Sequence, residues 1–405
     1  MKEAIHRAWS TALERFFCPD TCLFYEFVYD DISRAWDEMP TLENISDAYP
    51  NPCGWGTGME DSVMNTSTAL DTLVCAERLG RGSDVKDLAD RFFDGLMRCT
   101  ASEKNKGFVA RSVSPIDGKS HYIESSRDQY THLVYSFLNF YFSPLSSLNQ
   151  QDSIRSVLSA VAEKCIREVV PENDYNMLRE DGTIGKVNKM WGDIGAHEWM
   201  RLPMFYLAAY AVTEDRKYKE LYDKYRDKAL ENSLSHDPEK SRCYCSLQMQ
   251  LSLRAVYDYD TDNAFRSELL NLMKYLAQYG ENKSIQNSKE FSDPKRSDEV
   301  NYRFCPWNKR NLTYRDEFGG YKYYSSGQAE SPLNTAFYPV REVGEGSILA
   351  AICPERRVSY ELSDAVLNMA QAIDFKKHSS VYAPLYLPCA YALCTENRMK
   401  YGKNP

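Results

Sequence analysis

The residues best suited to chemistry begin at Ser125-Ser126-Arg127-Asp128-Gln129-Tyr130-Thr131-His132, after a segment carrying Arg111, His121 and Tyr122. On a helix Asp128 and His132 stand four apart and share a face, with Arg127 and Thr131 as the neighbouring pair. In a water-restricted cavity Asp128 is a general acid or base tuned by His132, Arg127 binds a carboxylate bidentately, and Tyr130 adds a phenol. A second constellation is Gly54-Trp55-Gly56-Thr57-Gly58-Met59-Glu60-Asp61-Ser62. Its glycines let backbone come close to a ligand, and Glu60 and Asp61 fall in a first helical turn, where the macrodipole favours acids. Either acid then faces a central pocket beneath Trp55. In the third, Met190 to Arg201, His197 and Arg201 stand one turn apart beside Trp191 and Trp199. Aromatic faces next to hydrogen-bonding groups suit the two faces of a sugar ring. Trp307, Tyr314, Arg315, Tyr321, Lys322, Tyr323 and Tyr324 read as a wall or lid before Glu330. Arg341, Glu342 and Glu345 fall inside the next helical stretch, and Lys376, Lys377, His378, Tyr382 and Tyr386 open the last.

Each stretch also has a plainer reading: helix-start acids, a capping cluster with a satisfied core histidine, tryptophans that only pack. What separates the readings is where the elements put these residues. Amphipathic period predicts twelve helices, over 3–17, 59–79, 84–99, 127–142, 152–169, 197–212, 215–232, 240–258, 264–281, 334–352, 357–373 and 380–395, with almost no strand-type alternation. Stretches charged on one face alternate with stretches that are apolar or small nearly all round, such as Leu202–Val212 and Gly346–Ile352. The latter are buried on all sides. Six exposed helices alternating with six buried ones predict an all-α fold, an (α/α)6 toroid whose inner helices line the centre, formed by residues 1–405 as a single domain. Long connections at 18–58, 100–126, 170–196 and 282–332 precede the inner helices, so all fall at one end, around the inner-helix N-termini. Loops of that length in a compact domain are usually functional.

Composition narrows the partners. The 405 residues carry 49 Lys+Arg against 58 Asp+Glu, a net charge of −9, with no basic run. Nucleic acid and anionic membrane need a basic footprint, so neither is the expected partner. No stretch approaches the roughly 18 uninterrupted apolar residues of a membrane span. The N-terminus shows no secretory signal pattern, which predicts a cytoplasmic protein or a periplasmic one whose signal has been removed. Twelve scattered cysteines read as reduced and structural. Cys243-Tyr244-Cys245 lacks zinc-site spacing, no phosphate loop or nucleophile elbow occurs, and no cofactor or metal is expected. Asp258-Tyr259-Asp260-Thr261-Asp262 looks like the acidic box of terpenoid cyclases, but it falls at the end opposite the long loops and reads as a polar turn and helix cap.

With its twelve-helix pattern across nearly the whole chain, and with Gly54–Ser62, Arg127–His132 and Trp191–Trp199 at inner-helix entrances, the sequence resembles the six-hairpin glycosidases. The likeness is greatest to toroids acting on uronic-acid sugars, the unsaturated glucuronyl and rhamnogalacturonyl hydrolases and β-glucuronidase-like families. The resemblance implies a glycoside hydrolase that removes a terminal uronic-acid sugar from an oligosaccharide by carboxylate general acid/base catalysis. In the unsaturated-uronyl enzymes an inner-helix Asp protonates the substrate's enol ether and activates water, and Asp128 is the residue expected there, with Glu60 or Asp61 as second carboxylate. A carboxylate separation of about 5 Å would predict retention and about 6.5–9.5 Å inversion. The pairing of Asp128 with Arg127 and His132 departs from that pattern, leaving hydration and ordinary hydrolysis both open. Expected substrate contacts are Trp55, Arg127, Tyr130, His132, Trp191, His197, Arg201, Trp307, Tyr324 and His378. Two rivals stand beside this: a polysaccharide lyase using Tyr130 or His132 as base, and a non-catalytic glycan-binding protein that stacks sugars on its tryptophans. Monomer and homo-oligomer are equally open.

Overall fold

The computed structural model describes residues 2–292, 312–316, 322–326 and 337–402. Among the described residues the chain is all-α apart from two small hairpins. Its long helices are α1 (Lys2–Arg15), α3 (Ser62–Ala76), α4 (Gly82–Cys99), α5 (Arg127–Tyr141), α6 (Leu148–Glu168), α7 (Arg201–Thr213), α8 (Arg216–Ser233), α9 (Cys243–Tyr259), α10 (Asn263–Phe291), α11 (Phe337–Ala351), α12 (Tyr360–Ala372) and α13 (Tyr382–Tyr401); α2 (Leu42–Ser46) is a single turn. One hairpin pairs Phe17–Cys18 with Leu23–Phe24, and the other pairs Leu312–Asp316 with Lys322–Ser326. No described helix is long and apolar enough to cross a membrane.

Local sequence explains the boundaries. Ser147 and Gln150 form a capping box that starts α6, Asp215, Asp262 and Ser359 cap α8, α10 and α12, and Glu214 ends α7 in the left-handed conformation. Asp262 therefore acts as a cap, and Asp260 accepts from Arg226 at 2.9 Å, which makes the acidic 258–262 stretch a polar turn. Gly80, at φ 82°, makes the α3–α4 joint. α4 buries Ala89, Phe92, Phe93, Leu96 and Cys99 along one stripe, whereas α3, α7 and α11 are buried almost all round.

Packing follows that division. α3 touches α5, α5 touches α7, α7 touches α9, α9 touches α11, α11 touches α13, and α13 returns to α3. Against these six pack α4 on α3, α6 on α5 and α7, α8 on α7, α10 on α9 and α11, α12 on α11 and α13, and α1 on α13. The helix over 264–281 is longer than expected, running to Phe291 and shortening the following connection. Its extra turns present Ser284, Asn287 and Ser288 to α11 and α12, with Ser284 donating to the Val343 carbonyl at 3.0 Å and Asn287 to Glu342 at 3.0 Å. A face made of small polar residues carries no hydrophobic period.

Candidate functional site

The N-terminal ends of α3, α5, α7, α9, α11 and α13 and the long connections before them enclose a cavity in two joined parts. The larger, about 430 Å³, is lined by Cys53, Trp55, Arg111, Glu124, Ser126, Arg127, Asp128, Lys186, Val187, His197, Glu198, Tyr244, Cys245 and Gln248. The smaller, about 160 Å³, shares Trp55, Arg111, Asp128 and Tyr244 with it and adds Glu26, Phe27, Glu60, Asp61, Met64, Phe337, Tyr338, Arg341 and Tyr382. Loop and helix-entrance residues far apart in sequence thus meet in one place. A buried ion pair braces its wall: Arg179 Nε and Nη2 reach Glu124 Oε2 at 2.7 and 2.6 Å, tying the 100–126 connection to the 170–196 connection.

Asp128 stands in the first turn of α5, with its side chain one-third open, and accepts from Arg201 Nη1 at 3.1 Å. Arg201 opens α7, is itself buried, and places its other nitrogen 2.6 Å from Gln248 of α9. Burial pushes the Asp128 carboxyl up, but Arg201, Arg127 and Arg111 together outweigh it and hold it below the usual range. Asp128 is therefore a carboxylate at neutral pH. Arg127 pairs with Glu198 at 2.6 Å and donates to the Lys189 carbonyl at 2.9 Å. Beside it His197 is pushed down to about 3 by burial and by Arg201 and His236, so its imidazole is neutral.

Opposite Asp128 is a carboxyl cluster. Asp61 takes the N-cap position of α3, with Oδ1 accepting from Arg111 Nη2 at 3.1 Å and Gln129 Nε2 at 2.8 Å. Glu60, just before it, accepts from the Gly56 N–H, which the positive φ values of Gly54, Gly56 and Gly58 turn inward. Burial and the neighbouring Asp61 push Glu60 up to about 7. Glu26 lies against both from an extended segment whose Glu26 carbonyl accepts the Val381 N–H at 2.9 Å. Burial and repulsion from Glu60 and Asp61 raise its carboxyl well above the ordinary range. Among the described residues no group of three His, Cys, Asp or Glu side chains is disposed to hold a metal ion.

Of the residues singled out in the sequence, Asp128, Glu60, Asp61, Trp55, Arg111, Arg127, His197, Arg341 and Tyr382 line this cavity, with Arg201 behind Asp128. Glu60 and Asp61 precede α3 instead of occupying its first turn, and His197 lies in a short turn, Ala196–Glu198, before α7. His132 is elsewhere. One turn deeper on α5, it lines a second cavity of about 300 Å³ at the C-terminal ends of the inner helices, 3.4 Å from Thr68. Burial pushes it down to about 4. Tyr130 points away from both cavities, fully buried, its oxygen accepting from the Val109 N–H at 3.2 Å. The two bases named for elimination therefore lie outside the site. Trp191 packs edge-on against Trp199 and Tyr225, at 4.6 and 4.7 Å between rings, and lines neither part; His378 is buried before α13 and does not line it either. Trp307, Tyr321 and Glu330 lie outside the described residues; Tyr324 is on the second hairpin, where only the backbone is described. The sequence reading missed Glu26, Glu124, Gln129 and Tyr244. For Glu26 a signal existed: it is the one acid in the run Leu23-Phe24-Tyr25-Glu26-Phe27-Val28-Tyr29, a placement that is costly unless compensated.

Compared with known proteins, the chain matches no protein-family model, and no curated protein is significantly similar to it.

Proposed function

We propose that the cyclic helix order is an (α/α)6 toroid and that the cavity at its N-terminal mouth belongs to a glycoside hydrolase removing a terminal uronic-acid sugar from an oligosaccharide. One observation carries this reading: Glu60, pushed up to about 7, and Asp128, held down by three arginines, line the same cavity. Carboxyls driven apart in this way divide the roles of acid and base between them. The Glu60–Asp61 side supplies a proton to the glycosidic oxygen, and Asp128, ionised, takes the proton of the attacking water or attacks the anomeric carbon itself. Trp55 and Tyr244 offer faces for the sugar ring, and the remaining N–H groups of Arg127 suit the uronate. A pure binder needs the rings and not the opposed carboxyls.

The test is turnover of a 4-nitrophenyl glycoside panel that includes the glucuronide, alongside an unsaturated glucuronyl disaccharide followed by loss of its ultraviolet absorbance. Hydrolysis of a uronide is expected, falling by about 10²–10⁴-fold in Asp128→Asn with the fold intact. Wild-type turnover in that variant, a gain of ultraviolet absorbance on a polyuronate, or no hydrolysis of any uronide overturns the reading.

A further inference from the structure

Hydrogen counting around Tyr382 assigns protons within the carboxyl cluster. The Tyr382 hydroxyl, in the first turn of α13, lies 2.7 Å from Glu26 Oε1 and 2.7 Å from Asp61 Oδ2. The Glu26 and Glu60 carboxyls are also within hydrogen-bonding reach of each other, while no N–H or hydroxyl among the described residues reaches Glu26 Oε2. These three close contacts require three hydrogens. A phenol has one, so two must come from carboxyl groups. Asp61 is the natural site of the negative charge, because Arg111 and Gln129 both donate to its other oxygen. That leaves the protons on Glu60 and Glu26, and the only arrangement satisfying every contact is Glu60 donating to Glu26, Glu26 to Tyr382, and Tyr382 to Asp61.

We infer that Glu60, Glu26, Tyr382 and Asp61 form a proton wire in which Glu26 and Glu60 hold two protons at mildly acidic pH and Asp61 is the outlet to the substrate. This rests on the hydrolase reading for what the outlet protonates. Asp61 is the more open end, 17% exposed against 5% for Glu60. A shift of all three hydrogens one place along the wire puts the phenolic hydrogen of Tyr382 on Asp61, that of Glu26 on Tyr382 and that of Glu60 on Glu26; Asp61 then gives its proton to the leaving oxygen. The shift moves the negative charge from Asp61 to Glu60, where the Gly56 N–H receives it, and the transfer to the leaving oxygen makes Asp61 an anion again, held by Arg111 and Gln129. The proton that Asp128 removes from water returns to Glu60 through solvent, closing the cycle. Facing the wire are Arg111 from the 100–126 connection, Asp128 from α5, Tyr244 from α9, and Arg341, 3.8 Å above the Tyr382 ring and 2.5 Å from Glu345, from α11. Arg111 and Arg341 keep the wire's negative charge, one at rest and two once the proton has left, tolerable in a buried place.

The experiment has one arm that needs no substrate. In full-length protein carrying ¹³C-carboxyl glutamate, with Glu26→Gln and Glu60→Gln assigning the two signals, both carboxyls should be protonated at pH 6, and the Glu60 signal should titrate near 7. Titration of Glu26 at the ordinary glutamate value, about 4, overturns the wire whatever the enzyme does. The second arm compares 4-nitrophenyl glucuronide, whose leaving group needs little proton help, with an alkyl glucuronide that needs it. Tyr382→Phe and Glu26→Gln should lose at least about tenfold more kcat on the alkyl substrate; equal losses on both mean packing only and overturn the relay. Protonated Glu26 in a protein inert toward every uronide would sink the hydrolase reading and leave the proton assignment standing.

Discussion

Asp128 and Arg201 show how far residue types carry an argument and where geometry takes over. The acid, the arginines and the aromatic residues at the helix entrances were legible because such groups are rarely placed at buried positions without a partner or a task. Their pairing was not. The four-residue spacing that puts Asp128 and His132 on one face also sets them about 6 Å apart along the axis, enough on a helix with a cavity toward each end to place them in different cavities. The partner that tunes Asp128 is Arg201, from another helix, at 3.1 Å. Because Arg201 holds the carboxyl down, Arg201→Lys, which offers one point of charge in place of a planar fork, should let the Asp128 pKa rise. A base must be ionised, so the acid limb of the kcat/KM profile should move to higher pH. A limb that stays in place would mean that Asp128 is not the group the profile reports.

Element existence was read well from sequence, because helices buried almost all round, such as α3, α7 and α11, alternate with helices such as α4 that carry a single apolar stripe. Element ends and close approaches were not, since they depend on backbone contacts with no hydrophobic signature. The crossing of α10 and α11 is the clearest example. A Cβ on Gly346 would stand 2.5 Å from the Gly280 carbonyl oxygen, and one on Gly280 would stand 2.7 Å from that of Gly346. Backbone meets backbone there, and the Leu349 side chain and Ser284 hydroxyl crowd the same space. Gly346→Ala should therefore destabilise the fold by about 1–3 kcal/mol, or more if the helices must part; an unchanged urea midpoint would show that the crossing can relax. The Glu124–Arg179 pair makes the same point for the loops. Neither residue stood out in sequence, yet both are fully buried and together hold two connections against the cavity. Glu124→Ala removes the carboxylate that faces the buried Arg179 guanidinium and should cost about 3–5 kcal/mol, with equilibrium unfolding as the measure.

At the scale of the whole molecule, the cyclic packing order of α3, α5, α7, α9, α11 and α13 goes with a cavity at either end of these helices, and the sequence pointed to only one of them because long loops gather there. The other is enclosed by helix ends, and its chemistry surfaces in the lining: Asp71, His132, Arg78 with Glu396, and Arg254 with Asp258. Burial there pushes the Asp71 carboxyl up to about 7, against the help of Asn139, which donates to it at 3.0 Å, and of Arg78. In the unfolded chain the same group ionises near 4. Between those values the folded state binds the extra proton, so the contribution of Asp71 to stability is fully present below about 4 and is lost as pH rises toward 7. Neutral His132, depressed to about 4, runs the other way, gaining stability as pH rises over much of the same window. The wild-type pH profile therefore mixes opposite slopes, and a single-residue difference isolates one of them. Asp71→Asn removes the titration but keeps the shape, so the unfolding free energy of the variant minus that of the wild type should climb with pH between about 4 and 7, by at most about 1.4 kcal/mol per pH unit, and level off above. A difference that is flat with pH would mean that Asp71 ionises in the folded protein as readily as in water, and that the C-terminal cavity is open to solvent.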